Sequence, residues 1–183
     1  DSIPCVFLTG QINSRFLRPD PSIRQIGFQE TDIVAMAAPV TKYAKMIVNP
    51  EDVRFELEKA LWMSQEGRPG PVLLDIPLNV QKALIDPKQL TGFEPPAAMS
   101  FDLTVVDQQI ARFISDLQQA ERPVILVGGG VRLADAQDDV RALGRRLNIP
   151  CFPTWNALDV ISSDYENYGG RVGTYGGAGR NFG

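Results

Sequence analysis

The run Val72-Leu73-Leu74-Asp75-Ile76, framed by Pro71 and Pro77, limits the fold more than any other stretch of the chain. A half-buried strand alternates apolar and polar residues, because successive side chains point to opposite faces. This run does not alternate. It therefore predicts a strand covered on both faces, as in a parallel sheet flanked by helices. The prolines cannot donate to a ladder and mark its limits. Asp75, the lone carboxylate, is expected to be buried and to accept hydrogen bonds from backbone or hydroxyl donors, since a bare carboxylate inside an apolar strand is costly.

The flanking segments extend this pattern. Cys5 to Thr9 predicts a buried strand stopped by Gly10, followed by a polar loop over 11–26 that holds Pro19 and Pro21. A short helix is predicted over 29–38, closed by Pro39, and a strand over 41–48. Asn49-Pro50-Glu51-Asp52 reads as a helix start, with Asn as N-cap, Pro at N1 and acids in the first turn. Val53, Leu57, Ala60, Leu61 and Met63 then fall largely on one helical face, and Gly67 stands where a C-terminal glycine belongs. Residues 82–102, with Pro87, Pro95 and Pro96, carry no period and read as an inter-domain linker.

Beyond it the pattern restarts. Leu103, Val106, Ile110, Phe113, Ile114 and Leu117 are spaced for a helix. Pro123 to Val127 predicts a buried strand, Gly128-Gly129-Gly130 a turn, Leu133 to Leu147 a second helical stripe, and Ile149 to Pro153 another strand. The expected fold is α/β: two partial doubly wound parallel-sheet units joined by a Pro-containing linker, with boundaries at 1–81, 82–102 and 103–183.

Charge and composition narrow the function. The chain has 18 basic and 22 acidic residues and a net charge of −4, which gives no basic footprint for nucleic acid. No apolar run reaches the roughly 18 residues of a membrane helix. There is no histidine. That removes the commonest general base and excludes a Ser-His-Asp or Cys-His arrangement within the chain. With only two cysteines, Cys5 and Cys151, a zinc site is not expected. Both cysteines sit in apolar strands and read as buried thiols, which points to a reducing, cytoplasmic compartment. The chain begins Asp1-Ser2-Ile3-Pro4, close to a strand, and ends Asn181-Phe182-Gly183 without a closing helix, so both ends read as cut.

Several positions are candidates for binding. Gly128, Gly129 and Gly130 follow a strand end, where backbone N–H groups approach ligands in open α/β sheets. They fit G-x-G-x-x-G poorly, because position 133 is Leu. The alternative is a tight strand-to-helix turn. Gly173, Thr174 and Gly176 lie in a glycine-rich stretch interleaved with Arg171 and Arg180, which could meet an anionic cofactor or form a flexible tail. Gln11 follows a strand end and carries both donor and acceptor. Gln29 and Glu30 stand at the predicted helix entrance, where capping is the plain explanation. The alternative for both glutamines is that they only tie loops together.

Taken together, Thr9-Gly10-Gln11, Gln25-Ile26-Gly27-Phe28-Gln29-Glu30-Thr31-Asp32, Val40-Thr41-Lys42-Tyr43, Gly67-Arg68-Pro69-Gly70-Pro71-Val72 and Asp75-Ile76-Pro77-Leu78-Asn79-Val80-Gln81 resemble the thiamine-diphosphate-dependent acetolactate synthase family. The second half, from Pro123 to Gly176, resembles the start of that family's central domain. The resemblance implies that 1–81 is the C-terminal part of a pyrimidine-binding domain. It implies thiamine diphosphate and Mg²⁺ as cofactors, a small 2-oxo acid as substrate, and a homo-oligomer, dimer or tetramer, with the cofactor between two subunits. Gln11 and Gln29 would then face the cofactor, and the glycines of 128–130 and 173–176 a nucleotide cleft. The family's catalytic glutamate would precede Asp1, and its G-D-G metal motif does not occur in this sequence, so the chain alone is expected to be catalytically incomplete. FAD is left open by the resemblance, but Ala37-Ala38-Pro39 stands where flavin-binding members tend to carry an arginine. Two other functions remain open: a non-catalytic nucleotide-binding or regulatory module built on the Gly128 turn, and a dinucleotide oxidoreductase, against which the poor glycine fingerprint argues.

Overall fold

The computed structural model describes residues 2–20, 22–97 and 102–172. The chain divides into two compact units, 1–99 and 100–183, each described here by itself.

The first unit is built on a three-stranded parallel sheet in the order β1-β3-β2, with β1 at Val6–Gln11, β2 at Tyr43–Met46 and β3 at Val72–Pro77. The strand at Val72 is thus central and, except for Ile76, buried along its length. Its two faces have different partners. Val72 and Leu74 pack with Ile47, Ala60 and Val80, and Val53, Leu57 and Met63 of helix α2 (Val53–Gln65) close over them. Leu73 and Asp75 point to the opposite face by strand alternation. β1 runs through Gly10 rather than stopping there, because β3 pairs with it in register as far as Gln11 opposite Pro77.

Helix α2 is entered through a 3₁₀ turn at Pro50–Asp52. Asn49 does not cap it with a side-chain bond to the backbone; its amide donates to the Asp52 carboxylate at 3.1 Å. Glu56 is buried in this helix because the Tyr43 hydroxyl donates to it, which ties α2 to β2. The Tyr43 phenol is pushed well above its usual range, first by burial and then by the carboxylate it bonds. Gly67 takes a left-handed φ of 58° just past the helix, as its position predicted.

The predicted helix over 29–38 is shorter. Helix α1 spans Ile33–Ala37, and its N-cap is Asp32, whose carboxylate accepts from the Ala35 N–H at 3.0 Å. Helix α3 (Leu78–Gln81) follows β3 directly. The segment read as a linker is not free of the first unit over its early part. Phe93 packs 5.5 Å from the rings of both Phe55 and Trp62, its N–H donates to Glu58, and Arg54 donates to the carbonyls of Pro87 and Leu90.

The second unit begins with helix α4 (Leu103–Gln119). Strands β4 (Ile125–Val127) and β5 (Cys151–Pro153) pair in parallel, linked by the short helix α5 (Gly130–Leu133) and by α6 (Gln137–Leu147). The chain then returns alongside β5. The Cys151 N–H donates to the Asn167 carbonyl, Gly169 donates to the Cys151 carbonyl, and Val172 to that of Pro153. This third parallel path, bridged at Cys151 and Tyr168, was not visible in the sequence. The core gathers Val127, Cys151, Ala157, Val160, Ile161 and Tyr165. Cys151 is buried as expected, and burial raises its thiol pKa; Cys5 is only half-buried, since β1 is an edge strand.

Candidate functional site

In parallel sheets the carboxyl ends of the strands are the binding edge. In the first unit that edge is formed by the ends of β1 and β3. The loop leaving β1 is pinned there: the Ser14 N–H donates to the side-chain Oδ1 of Asn79 in α3 at 2.8 Å. An open pocket of about 440 Å³ lies at this end, lined by Ile12, Asn13, Phe16, Ile26, Gly27, Phe28 and Leu78. Its lining is largely apolar. Gly27 is required by a close approach, since a Cβ there would fall 2.0 Å from Ile12 Cδ1 and 3.1 Å from the Phe16 carbonyl oxygen.

The loop owes its shape to Glu30. This carboxylate does not cap α1. It accepts from the N–H groups of Arg18 (2.8 Å), Ile26 (2.9 Å) and Gly27 (3.2 Å). Those backbone bonds, Ile26 first, hold its pKa below the usual glutamate value. The Arg18 guanidinium closes the loop from within by donating to the carbonyls of Ile23 and Arg24 and by pairing with Asp32. At the tip, Phe28 is 84% exposed. Gln29 is exposed too, with a left-handed φ of 63°, and its side chain has no hydrogen-bond partner among the described residues.

Gln11 has a different setting. It is buried at the end of β1, and its Nε2 donates to the Thr31 carbonyl at 2.7 Å and to Asp75 Oδ2 at 3.1 Å. Its Oε1 accepts from the Ile12 N–H at 3.0 Å. Asp75 is fully buried, and its other oxygen accepts from the Thr9 hydroxyl at 2.8 Å. Of the backbone or hydroxyl donors expected for Asp75, a hydroxyl is present; the second donor is a side-chain amide. The parallel register explains both: Thr9 lies opposite Asp75, and Gln11 is the next residue of β1 on the same face.

In the second unit Gly128, Gly129 and Gly130 do follow a strand end and open α5. None of them has a positive φ. A Cβ on Gly129 would sit 3.1 Å from both Cβ and the carbonyl oxygen of Asn156, so this glycine serves the packing of the turn against the segment after β5. A Cβ on Gly128 or Gly130 would meet nothing within 4 Å. The nearby cation is internally engaged: Arg132 pairs with Asp159 and donates to the Asn156 carbonyl at 2.9 Å. Gly173, Thr174 and Gly176 lie outside the described residues. Among the described residues no group of three or more acidic or cysteine side chains could hold a metal ion, and no helix is long and apolar enough to cross a membrane.

Comparison with known proteins gives this arrangement relatives. Residues 110–182 match the family described as thiamine pyrophosphate enzyme, central domain. Over 181 residues the chain is 38% identical to the acetolactate synthase large subunit of Corynebacterium glutamicum, an alignment that covers 96% of this chain and 27% of that protein. Residues 110–182 thus carry a thiamine pyrophosphate enzyme central domain, and the chain is similar along nearly its whole length to an acetolactate synthase. It is also 36% identical over 178 residues to the glyoxylate carboligase of Escherichia coli O157:H7, covering 94% of this chain and 28% of the relative. With the acetolactate synthase large subunit of Haemophilus influenzae it shares 30% identity over 181 residues, 96% of this chain and 30% of the other. The chain therefore spans between about a quarter and a third of the length of these curated relatives.

Both units of this acetolactate synthase-like chain fall within the alignments, so the strand-end edge of the first unit belongs to the shared part. Sequence reasoning missed the role of Glu30 and the pocket lining of Ile12, Phe16, Ile26 and Phe28. The signal for Glu30 was present as an acidic residue shortly after a glycine in a long polar loop. The donors it would bind, three backbone N–H groups, cannot be read from side-chain identities.

Proposed function

We propose that this chain is part of a thiamine-diphosphate-dependent 2-oxo acid decarboxylase and carboligase, and that residues 1–81 supply one wall of its cofactor site. The observation that carries the reading is the paired similarity, at 36–38% identity, to an acetolactate synthase and a glyoxylate carboligase across both units. The site fits the organic part of the cofactor. Ile12, Phe16, Ile26, Phe28 and Leu78 offer an apolar wall, and the exposed Gln29 amide, next in sequence to Phe28, is the polar group assigned to its rim. The described residues do not supply a metal site, so Mg²⁺ and the diphosphate are assigned to the G-D-G segment that the family resemblance implies and this sequence does not contain.

When bound, the cofactor supplies the electron sink for decarboxylation and acyl transfer. The residues of this chain would orient it: the apolar wall would pack against one side of it, and Gln29 would hold a polar group at the rim. Isolated from the rest of the protein, residues 1–183 would be catalytically incomplete. FAD is not part of the reading. Ala37-Ala38-Pro39, without an arginine, stands shortly before Thr41-Lys42, and the Lys42 ammonium is engaged by the Glu66 carbonyl at 2.6 Å. The protein is proposed to be cytoplasmic and to assemble as a homo-oligomer, with residues 82–102 joining two domains.

A nucleotide-binding module built on the Gly128 turn has one observation in its favour, the open space beside Gly128 and Gly130. Arg132, already neutralised by Asp159, weakens it as an anion site. The experiment that separates the two uses the intact protein with thiamine diphosphate, Mg²⁺ and either pyruvate or glyoxylate. Cofactor-dependent CO₂ release is expected with at least one. No release with either, together with tight binding of ADP, would replace this reading by the module.

A further inference from the structure

The hydrogen bonds of Gln11 leave it little freedom to serve a ligand. A glutamine amide has two N–H donors and one carbonyl. Both donors are used, one by Asp75 Oδ2 and one by the Thr31 carbonyl, and the carbonyl takes the Ile12 N–H. The orientation of the amide is over-determined. An ionised carboxylate and a peptide carbonyl can only accept, and a peptide N–H can only donate. A flipped amide would set oxygen against oxygen twice and N–H against N–H once.

What these bonds do is carry position. Asp75 is anchored on the central strand, with its own carbonyl taking the Ile47 N–H at 2.9 Å and its side chain taking Thr9 and Gln11. Gln11 passes that anchor across 20 residues of chain to Thr31. Thr31 immediately precedes Asp32, the N-cap of α1, and lies two residues after Gln29. Glu30 grips the same segment from the other side through Arg18, Ile26 and Gly27. Gln29 lies between these two grips in a left-handed conformation, which is unfavourable for a non-glycine residue and persists only when its surroundings impose it.

We propose that Asp75 and Gln11 are positioning residues, and that the chain Asp75–Gln11–Thr31 holds the turn from which Gln29 alone meets the cofactor or substrate. This rests on the function proposed above, and it makes Gln11 a strut where its place at a strand end suggested a ligand contact.

Two measurements on the intact protein test it. The first is amide hydrogen exchange, which needs no ligand. Asp75→Asn removes the charge from the acceptor of the Gln11 bond, and Gln11→Met keeps the length without that bond or the one to Thr31. Either should speed exchange of the amides of 26–31 by roughly tenfold or more, the size expected for a lost bond to a buried charged group. The amides of Leu73 and Leu74 should keep their protection. Unchanged exchange over 26–31 in a folded Gln11→Met variant overturns the strut, and that variant decides the question if Asp75→Asn fails to fold. The second measurement is calorimetric titration with thiamine diphosphate and Mg²⁺, followed by pyruvate. Gln29→Ala and Gln11→Met should each weaken binding of one of these, and the double variant should be no weaker than Gln29→Ala. Additive losses would mean that Gln11 acts on its own account and would overturn the proposal. A wild-type protein that binds neither ligand would sink the proposed function and Gln29's role, while the exchange result still decides whether the strut exists.

Discussion

Helices α2 and α4 show opposite relations between pattern and burial. α2 carries Arg54, Glu56, Glu58 and Lys59 among its apolar residues and has a weak stripe, yet Glu56, Ala60 and Ser64 are buried in it. α4 has the cleaner stripe, but no residue of it is buried: Phe113 is 56% exposed and Ile110 50%. The difference lies in what stands behind each helix. α2 closes over β3, which has a strand paired on each side. In the second unit the core is made by β4, β5, α6 and the 157–165 segment, and α4 contributes nothing to it. A stripe states what a helix is able to bury; the sheet beside it decides what is buried.

The largest expected effect sharpens this contrast at the two strands. Leu74→Ala, in the fully buried centre of β3, should cost about 2–5 kcal/mol in chemical denaturation. Leu126→Ala at the 64% exposed position of β4 should stay within about 0.5 kcal/mol. Equal losses at the two sites would show that β4 is as well covered as β3 and would erase the distinction.

Asp75→Ala comes next. It leaves the Thr9 hydroxyl and one Gln11 N–H without a partner in a closed space, so a loss of about 1–3 kcal/mol is expected. In the second unit Gly129→Ala is the counterpart, because its new methyl must push Asn156 by a few tenths of an ångström. Overpacking of this kind costs about 1 kcal/mol or a little more. Gly128→Ala, with open space at its Cβ, should cost less, and the reverse order would show that the turn packs otherwise.

The same contrast explains what could be read in advance. The β3 run was legible in full, including the buried carboxylate, because a strand covered on both faces leaves no polar alternation. The first unit's succession of strands and helices along the chain, and the helix after Asn49, followed from strong local signals; the order of the strands in the sheet did not. Other features depended on backbone groups, which every residue possesses alike. Glu30 looked like a cap because acids favour helix starts, but three loop N–H groups claimed it and Asp32 capped α1 instead. The third parallel path beyond Asn167 had no apolar run to mark it, since it is made by backbone bonds to Cys151 and Pro153. Gln11 was legible as a residue of the site edge; that its donors were already spent was not.

Acid distinguishes the two units by smaller effects. Glu30 and Asp159 both have pKa values lowered in the folded state, Glu30 mainly by the Ile26 N–H and Asp159 mainly by the Arg132 guanidinium. A lowered folded pKa contributes stability that is present above the unfolded value and is lost as pH falls through the folded one. The Glu30 loop should therefore loosen below the ordinary glutamate value of 4.5, and the Arg132–Asp159 tie below the aspartate value of 3.8. Added salt should weaken the second more at neutral pH, because it rests on an exposed ion pair, while in the Glu30 loop only the pairing of Arg18 is screened and the backbone bonds to Glu30 are not. Amide exchange of Ile26 and Gly27 against that of residues 156–159, with and without salt, reads both. A salt effect on the Glu30 loop equal to that on the Arg132 tie would contradict the assignment of donors.

The smallest effect belongs to α4. Phe113→Ser and Ile114→Ser remove apolar groups that are 56% and 48% exposed and that belong to no core cluster of the described residues. In the chain of 183 residues, each should change the unfolding free energy by no more than about 0.5 kcal/mol, because an apolar group already in water loses little on deletion. Ala60→Ser in α2 adds only a hydroxyl, yet it should cost about 1–3 kcal/mol, since Ala60 is fully buried against β3 and the added atom must crowd that contact even if it donates back to its own helix, as Ser64 does to the Leu61 carbonyl. Denaturant midpoints for the three variants check the ordering. A loss above about 2 kcal/mol for Phe113→Ser would mean that the α4 stripe is covered in solution. Helix pattern, rather than the sheet behind it, would then have been the better guide to burial.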